Sequence, residues 1–276
     1  MHRFVLAALP LLLGLLGPAL AADPVLTLRF GDQIRRFAAA ELLARPDVRT
    51  VTVNDAAYQR PMTYRAVPLL ALLPPLDDRF DTLEARAIDG FAAQLPVTLL
   101  RRATRGGAVP WLAVEPPDHP WPDLPGKHMT AGPFYLVWEN PESSGVSPEQ
   151  WPYALAELTG AESPAHRWPQ LQLSDAVPAD APARRGEQVF ATMCLSCHRL
   201  DGGGAATMGP DLGRPMNPTQ YLTEPGLRAL IRNPKLVRTW PEQHMPGFDE
   251  TTLPEGELDA LIAYLRAKAA EQAAGR

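Results

Sequence analysis

The feature that most constrains this chain is the segment Cys194-Leu195-Ser196-Cys197-His198, which contains both cysteines of the 276-residue sequence. Two thiols separated by two residues leave no cysteine for any other structure or chemistry. A zinc site would need four ligands, commonly from two such pairs, and there is no second pair. A simple disulfide would leave the adjacent His198 unexplained, and a thioredoxin-like redox pair should open a helix after a strand.

The remaining interpretation of this segment is covalent attachment of a haem. Each thiol can add to one vinyl group of the porphyrin, which then places His198 beneath the iron as an axial ligand. The sequence therefore predicts one haem, bound through Cys194 and Cys197 and ligated by His198. We expect the second axial ligand further along the chain. The candidates are Met208, Met216, His244 and Met245.

The sequence around this segment is helical. Apolar residues recur on one face of a helix from Gly186 to Cys197, and Thr223 can cap a second helix that ends at Asn233 before Pro234. Thr252 and Glu255 have capping-box spacing ahead of a last amphipathic helix. We therefore predict an all-α domain over residues 183–276. Within it, Met245 is fixed by Pro246-Gly247 just before that last helix, which favours Met245 as the second ligand.

The C-terminal third resembles the class I cytochromes c. The resemblance is based on Gly186, Phe190, Cys194-Leu195-Ser196-Cys197-His198, Gly209-Pro210-Asp211-Leu212, Asn233-Pro234, Met245-Pro246 and Tyr264-Leu265. It implies His198 as the proximal ligand, the Pro210 carbonyl as the acceptor that orients it, and Met245 as the distal ligand. A His/Met pair suits electron transfer, since no coordination position stays open. His244 departs from the family pattern: it is either an exposed neighbour of the ligand or, together with His198, one of two histidine ligands, which would lower the potential.

The N-terminus has the pattern of a secretory signal. A basic start at Arg3 is followed by an apolar run from Phe4 to Leu20, and small residues precede Asp23. We predict a signal peptide over residues 1–21, a periplasmic mature protein and no membrane segment after cleavage. The net charge is −5 with no basic run, which argues against a nucleic-acid partner.

Residues 22–172 have the pattern of an α+β domain, with a mixed sheet and short helices. Strands are expected from the first hairpin at 25–37 up to 134–138, and a helix is expected from Pro148 to Leu158. The segment 173–182 is rich in proline and alanine and is predicted to be an extended linker.

The first domain resembles the molybdopterin-binding domain of the sulfite oxidase family over about residues 24–160. The matching pieces are Val51-Thr52-Val53, residues 64–73, Ala87-Ile88-Asp89-Gly90-Phe91 and Gly132-Pro133-Phe134-Tyr135-Leu136-Val137. Catalytic members have a molybdenum-ligating cysteine shortly after the strand that matches Val51-Thr52-Val53. Here Asn54-Asp55 occupies that stretch. The resemblance is thus to a degenerate member, and we expect no molybdopterin and no catalytic residue.

Together these patterns predict an exported monohaem cytochrome that passes single electrons between redox protein partners, with the first domain as a docking or ligand-binding module. One alternative is a subunit of a periplasmic oxidoreductase whose first domain binds a cofactor and passes electrons to the haem. Another is a haem-based sensor, which would keep an open or labile sixth position. The identities of the donor and the acceptor are not encoded in any motif.

Overall fold

The computed structural model describes residues 23–75, 79–241 and 243–275. The predicted signal peptide, residues 1–21, lies outside these ranges. Among the described residues, no helix is both long enough and apolar enough to span a bilayer. The chain folds as a β-rich N-terminal part followed by a helical C-terminal part.

In the described residues of the N-terminal part, nine strands form two sheets. They are β1 (Val25–Phe30), β2 (Gln33–Ala38), β3 (Arg49–Asp55), β4 (Arg60–Pro68), β5 (Thr82–Ala87), β6 (Ala92–Pro96), β7 (Val109–Val114), β8 (Phe134–Glu139) and β9 (Leu155–Ala161). One sheet has the order β2-β1-β9-β5-β6, and the other has the order β3-β4-β7-β8. Strands β1 and β9 are parallel and their other neighbours antiparallel, so this sheet is mixed, as predicted.

A single hydrophobic core joins the two sheets. Leu28 of β1 and Leu158 of β9 belong to the same buried cluster as Val67 of β4 and Trp138 of β8. Side chains alternate between buried and exposed along β3 and β4, as expected for strands with one face on the core. Three short helices follow strands of this part: α1 (Ala39–Leu43) after β2, α2 (Val97–Leu100) after β6 and α3 (Pro164–Arg167) after β9.

The C-terminal part is helical. Its helices are α4 (Pro182–Val189), α5 (Pro218–Tyr221), α6 (Glu224–Arg232), α7 (Pro234–Val237) and α8 (Glu255–Ala274). Helices α4 and α8 cross closely because Gly186 has no side chain: a Cβ there would lie 1.9 Å from the carbonyl oxygen of Ala260. The Phe190 and Tyr264 rings meet at the same crossing with centroids 5.4 Å apart. These contacts pack the first helix of the helical part on the last.

Three local predictions are wrong. The helix expected from Pro148 to Leu158 is a single 3-10 turn (Pro148–Gln150), and β9 begins at Leu155 in the middle of the first sheet. Sheet pairing on both sides of β9 outweighs the helical spacing of its apolar residues. The capping box at Thr252 is absent, because Pro254 occupies the N-cap position of α8. The first helix also ends early, in a π turn (Phe190–Cys194).

The segment predicted as an extended linker, residues 173–182, is bound to the helical part. The guanidinium group of Arg184 donates to the carbonyl oxygens of Leu173, Ser174 and Val177 at 2.7–3.0 Å. The backbone N–H of Ser174 donates to the carboxylate of Glu271 in α8 at 2.8 Å. Proline supplies the extended backbone here, but these contacts fix the segment in place.

Candidate functional site

The two cysteines lie on a tight turn at the end of the π turn. The carbonyl oxygen of Cys194 accepts hydrogen bonds from the N–H of Cys197 at 3.1 Å and from the N–H of His198 at 2.8 Å. Leu195 and Ser196, between the cysteines, are fully buried. We call residues 194–198 the attachment loop. The turn holds the two thiols and the imidazole on one compact piece of chain.

Both thiols are unpaired and are held in their protonated form. Burial raises the pKa of Cys197 to about 12 and that of Cys194 still further, and the nearby carboxylate of Glu149 adds to both shifts. A thiol that works by disulfide exchange needs a lowered pKa. The surroundings of this pair therefore argue against a thioredoxin-like function.

His198 is oriented by one hydrogen bond. Its Nδ1 lies 2.9 Å from the carbonyl oxygen of Pro210, which is the contact that the resemblance implies. Burial lowers the pKa of His198, and the hydrogen bond to Pro210 opposes that shift only in part. The neutral imidazole thus has its proton on Nδ1 and its lone pair on Nε2, which is the form that binds a metal.

Gly209 allows the loop after the attachment loop to reach the histidine. A Cβ at this position would lie 2.6 Å from the Cε1 and Nδ1 atoms of His198. The N–H of Gly209 also donates to the carbonyl oxygen of Cys197 at 2.8 Å. Asp211 holds the same loop closed, because its carboxylate accepts from the N–H groups of Asp201, Gly202 and Gly213 at 2.7–2.9 Å.

The four candidates for the second axial ligand differ in their surroundings. Met208 lies on the attachment side, with its Sδ 3.7 Å from the Sγ of Cys197. Met216 is 47% exposed and His244 is exposed. Met245 is half-buried and packs against the core of the helical part.

The segment that contains Met245 is anchored to the end of α6. The N–H of Phe248 donates to the carbonyl oxygen of Ile231 at 3.0 Å. The guanidinium group of Arg232 binds the carbonyl oxygen of Phe248 at 3.0 Å and the carboxylate of Glu255 at 2.6 Å. A Cβ on Gly247 would lie 2.5 Å from the carbonyl oxygen of Arg232. This close approach fixes the chain immediately after Met245.

The N-terminal part contacts the attachment loop directly, which the sequence did not reveal. The N–H of Ala92, at the start of β6, donates to the carbonyl oxygen of Ser196 at 2.8 Å. In the β5–β6 turn, the carbonyl oxygen of Gly90 accepts from the N–H of Thr207 at 3.1 Å. The guanidinium group of Arg86 donates to the carbonyl oxygen of Ala205 at 3.0 Å. We call this set of contacts the domain interface.

One acidic side chain of the N-terminal part also reaches the attachment loop. The hydroxyl group of Ser196 donates to Oε2 of Glu149 at 3.3 Å. Glu149 lies on the 3-10 turn (Pro148–Gln150) where the sequence had predicted a helix. No sequence motif marks it, because its position depends on how the two parts pack.

Asn54 and Asp55, at the end of β3, are an exposed asparagine and a buried, hydrogen-bonded aspartate. Asn54 points to solvent, whereas Asp55 is 3% exposed. The carboxylate of Asp55 accepts from the hydroxyl groups of Tyr64 and Tyr135 and from the N–H groups of Ala57 and Tyr58, at 2.7–3.1 Å. With four donors on its two oxygens, Asp55 holds together the turn after β3 and the neighbouring strands β4 and β8.

Comparison with known proteins bears on the C-terminal third. A family model described as cytochrome c matches residues 183–268. The chain is 34% identical over 106 residues to a cytochrome c from Chlamydomonas reinhardtii, which covers 32% of this chain and 93% of that protein. It is 30% identical over 98 residues to a cytochrome c from Sesamum indicum, which covers 30% of this chain and 86% of that protein.

Proposed function

The chain belongs to the cytochrome c family through residues 183–268, and from that premise we propose that it is an exported carrier of single electrons with one covalently attached haem. Membership of the family implies a haem c cofactor, electron transfer and redox protein partners. The finer assignments below are our proposal, and they concern which residues hold the haem, where the protein works and what the first domain does.

We assign Cys194 and Cys197 to the two thioether bonds, His198 to the proximal position and Met245 to the distal position. The observation that supports this most directly is the hydrogen bond between His198 and Pro210, which leaves Nε2 of a neutral imidazole available for iron. The two thiols beside it are unpaired and separated by one turn of chain. The donor set therefore fits a haem c, which when bound supplies a centre that accepts and releases one electron.

Met245 is the best distal ligand because it combines partial burial with an anchored backbone. Met216 and His244 are exposed, and Met208 lies beside Cys197. Thioether ligation by Met245 would raise the reduction potential relative to two histidines.

We propose that the N-terminal part is a degenerate relative of the sulfite oxidase domain that serves as a docking module. Its order of motifs and its mixed sheet support the relationship, and the presence of Asn54 and Asp55 where a cysteine would be expected supports the loss of molybdenum chemistry. The domain interface supports the docking function, because it places this part against the attachment loop. Export to the periplasm is proposed from the pattern of residues 1–21.

The test of the haem assignment is the full-length protein, purified from a periplasm that attaches haem, with Met245→Ala and the matched control Met216→Ala. We expect one haem per chain that survives denaturation, since thioether bonds are covalent. Met245→Ala should lose the far-red absorption band that methionine sulfur gives to oxidised haem and should have a lower reduction potential. Met216→Ala should keep both properties. An unchanged oxidised spectrum in Met245→Ala would show that another residue is the distal ligand.

A further inference from the structure

Glu149 is a half-buried acidic side chain of the N-terminal part that accepts a hydrogen bond from the attachment loop of the helical part. Its 3-10 turn is firmly held, because the carbonyl oxygen of Gln150 accepts from the indole N–H of Trp138 at 2.8 Å. The side chain of Gln150 in turn accepts from the N–H of Ser147 at 3.0 Å. Glu149 therefore has a defined position against Ser196 and is not a mobile surface residue.

The carboxylate of Glu149 has no cationic partner among the residues that the structure describes. Its side-chain hydrogen bond comes from the Ser196 hydroxyl group, at 3.3 Å. Glu84 in the same domain shows the usual solution, since it is bound by Arg86 and Arg167 at 2.6 Å each. A buried carboxylate without such a partner is costly, which is why these groups often have a functional reason.

The charge of Glu149 acts on both points of haem attachment. It raises the pKa of the Cys194 thiol and of the Cys197 thiol. Two other charged groups act on Cys197, with opposite signs: Asp89 raises its pKa and Lys127 lowers it. The two segments that pack against the 3-10 turn of Glu149, strand β6 and the π turn, contain no charged residue. Glu149 is thus the ionisable side chain that is in hydrogen-bond contact with the attachment loop.

We propose that Glu149 couples the reduction potential of the haem to pH, by binding a proton when the haem is reduced. The inference rests on the function proposed above. The electron comes from a protein donor and converts ferric to ferrous iron. The proton comes from solvent water and binds a carboxylate oxygen of Glu149, so that reduction leaves the local charge unchanged.

The direction of the coupling follows from electrostatics. An oxidised haem has one more positive charge than a reduced haem, so an ionised carboxylate beside it favours the oxidised state and lowers the potential. By linkage, reduction must favour protonation of the same carboxylate to the same extent. Burial already raises the pKa of Glu149 to about 7, which brings this exchange into the neutral range.

The experiment measures the midpoint potential of the full-length, haem-loaded protein from pH 5 to pH 9 in a thin-layer spectroelectrochemical cell. In the native chain we expect the potential to fall as the pH rises through about 7. Glu149→Gln should remove this dependence, with a potential close to the native value at pH 5 and above it at pH 9. Glu142→Gln changes an exposed carboxylate on a neighbouring turn and should behave like the native chain.

Ser196→Ala gives an independent measurement. The Ser196 hydroxyl group stabilises the ionised carboxylate and lowers its pKa, so its removal should move the pH-dependent fall in potential to higher pH. A native potential that does not change with pH, or a dependence that survives in Glu149→Gln, would overturn the inference. A chain that attaches no haem or shows no reversible one-electron reduction would instead contradict the proposed function.

Discussion

The backbone N–H of Ala92 donates a 2.8 Å hydrogen bond to the carbonyl oxygen of Ser196, which joins a β-strand of one domain to the haem-attachment loop of the other. The two residues are more than one hundred positions apart in the chain. Because Ser196 lies between the two cysteines, the bond fixes the attachment loop at its centre. The N-terminal domain is therefore part of the surroundings of the haem site.

Gly90→Ala should weaken the domain interface. Gly90 has a φ of +91°, and a Cβ there would lie 2.2 Å from Oγ1 of Thr207. Gly106→Ala is the matched control, since Gly106 has a φ of +81° and a Cβ there would have no atom within 4 Å. Each variant should lose about 1 kcal/mol or more from backbone strain, and Gly90→Ala should lose more than the control. Urea unfolding measures both losses, and adding Thr207→Ala should restore part of the extra loss.

Gly186→Ala should destabilise the helical domain. The new methyl group would lie 1.9 Å from the carbonyl oxygen of Ala260, so α4 and α8 would have to move apart. We expect a loss of about 1–3 kcal/mol or more, as for other overpacked sites. Gly256→Ala, on an open face of α8, should instead stabilise the helix by about 0.5–1 kcal/mol. Chemical unfolding followed by circular dichroism tests the contrast, and equal effects of the two variants would contradict it.

Asp55→Asn should destabilise the N-terminal domain. The carboxylate accepts from four donors, and an amide keeps only one accepting oxygen while it brings two donors of its own. We expect a loss of about 1–3 kcal/mol for each donor left unsatisfied. Asn54→Ala changes the exposed neighbour and should have little effect. If thermal unfolding finds the two variants equally stable, Asp55 does not hold this turn.

Glu84 should make stability depend on pH in the acid range. Burial alone would raise the pKa of Glu84, but Arg167, Gln94 and Arg86 together hold it below its usual value of 4.5. A carboxyl group with a lowered folded-state pKa stabilises the fold above the unfolded value, and this contribution disappears as the pH falls through the folded value. The free energy of unfolding should therefore decline from about pH 4.5 downward.

Glu84→Gln tests this origin of the acid sensitivity. The variant should be less stable than the native chain at pH 7 and should approach it as the pH falls through the folded-state pKa of Glu84, because the native group then also becomes neutral. Glu162→Gln, at an exposed position, should follow the native profile. If the free energy of unfolding falls as steeply with acid in Glu84→Gln as in the native chain, other carboxyl groups cause the acid sensitivity.

Much of this fold could be predicted from local sequence patterns. The hairpin of β1 and β2 alternates apolar and polar residues around Gly31-Asp32, and α6 is bounded by the Thr223 cap and by Asn233-Pro234. The cysteine and histidine spacing identified the site because the chemistry of attachment requires those residues in that order. In each case, the determining interactions lie within a few residues of one another.

The missed features depend on contacts between distant segments. The local pattern predicts a helix at the start of β9, because the position of this strand between β1 and β5 is set by pairing with residues far away in the chain. Ala92 and Glu149 lie in no motif, and the motif that contains Gly90 does not reveal its contact with Thr207, because all three contacts come from the packing of one part of the chain on the other. Gly209 lies within the cytochrome motif. The requirement for glycine there comes from its close approach to His198, which depends on the three-dimensional structure and not on the local sequence.

The segment that connects the two parts of the chain, at Leu171 and Gln172, is bound to α8, and this has a kinetic consequence. The Tyr264 hydroxyl donates to the carbonyl oxygen of Leu171 at 2.6 Å, and the Lys268 ammonium donates to that of Gln172 at 2.8 Å, while the attachment loop is bound separately through Ala92. These separate points of fixation restrict rotation of the helical part against the β-rich part. We therefore expect electron exchange to depend on diffusion of the partner, and the rate within a formed complex to be insensitive to solvent viscosity.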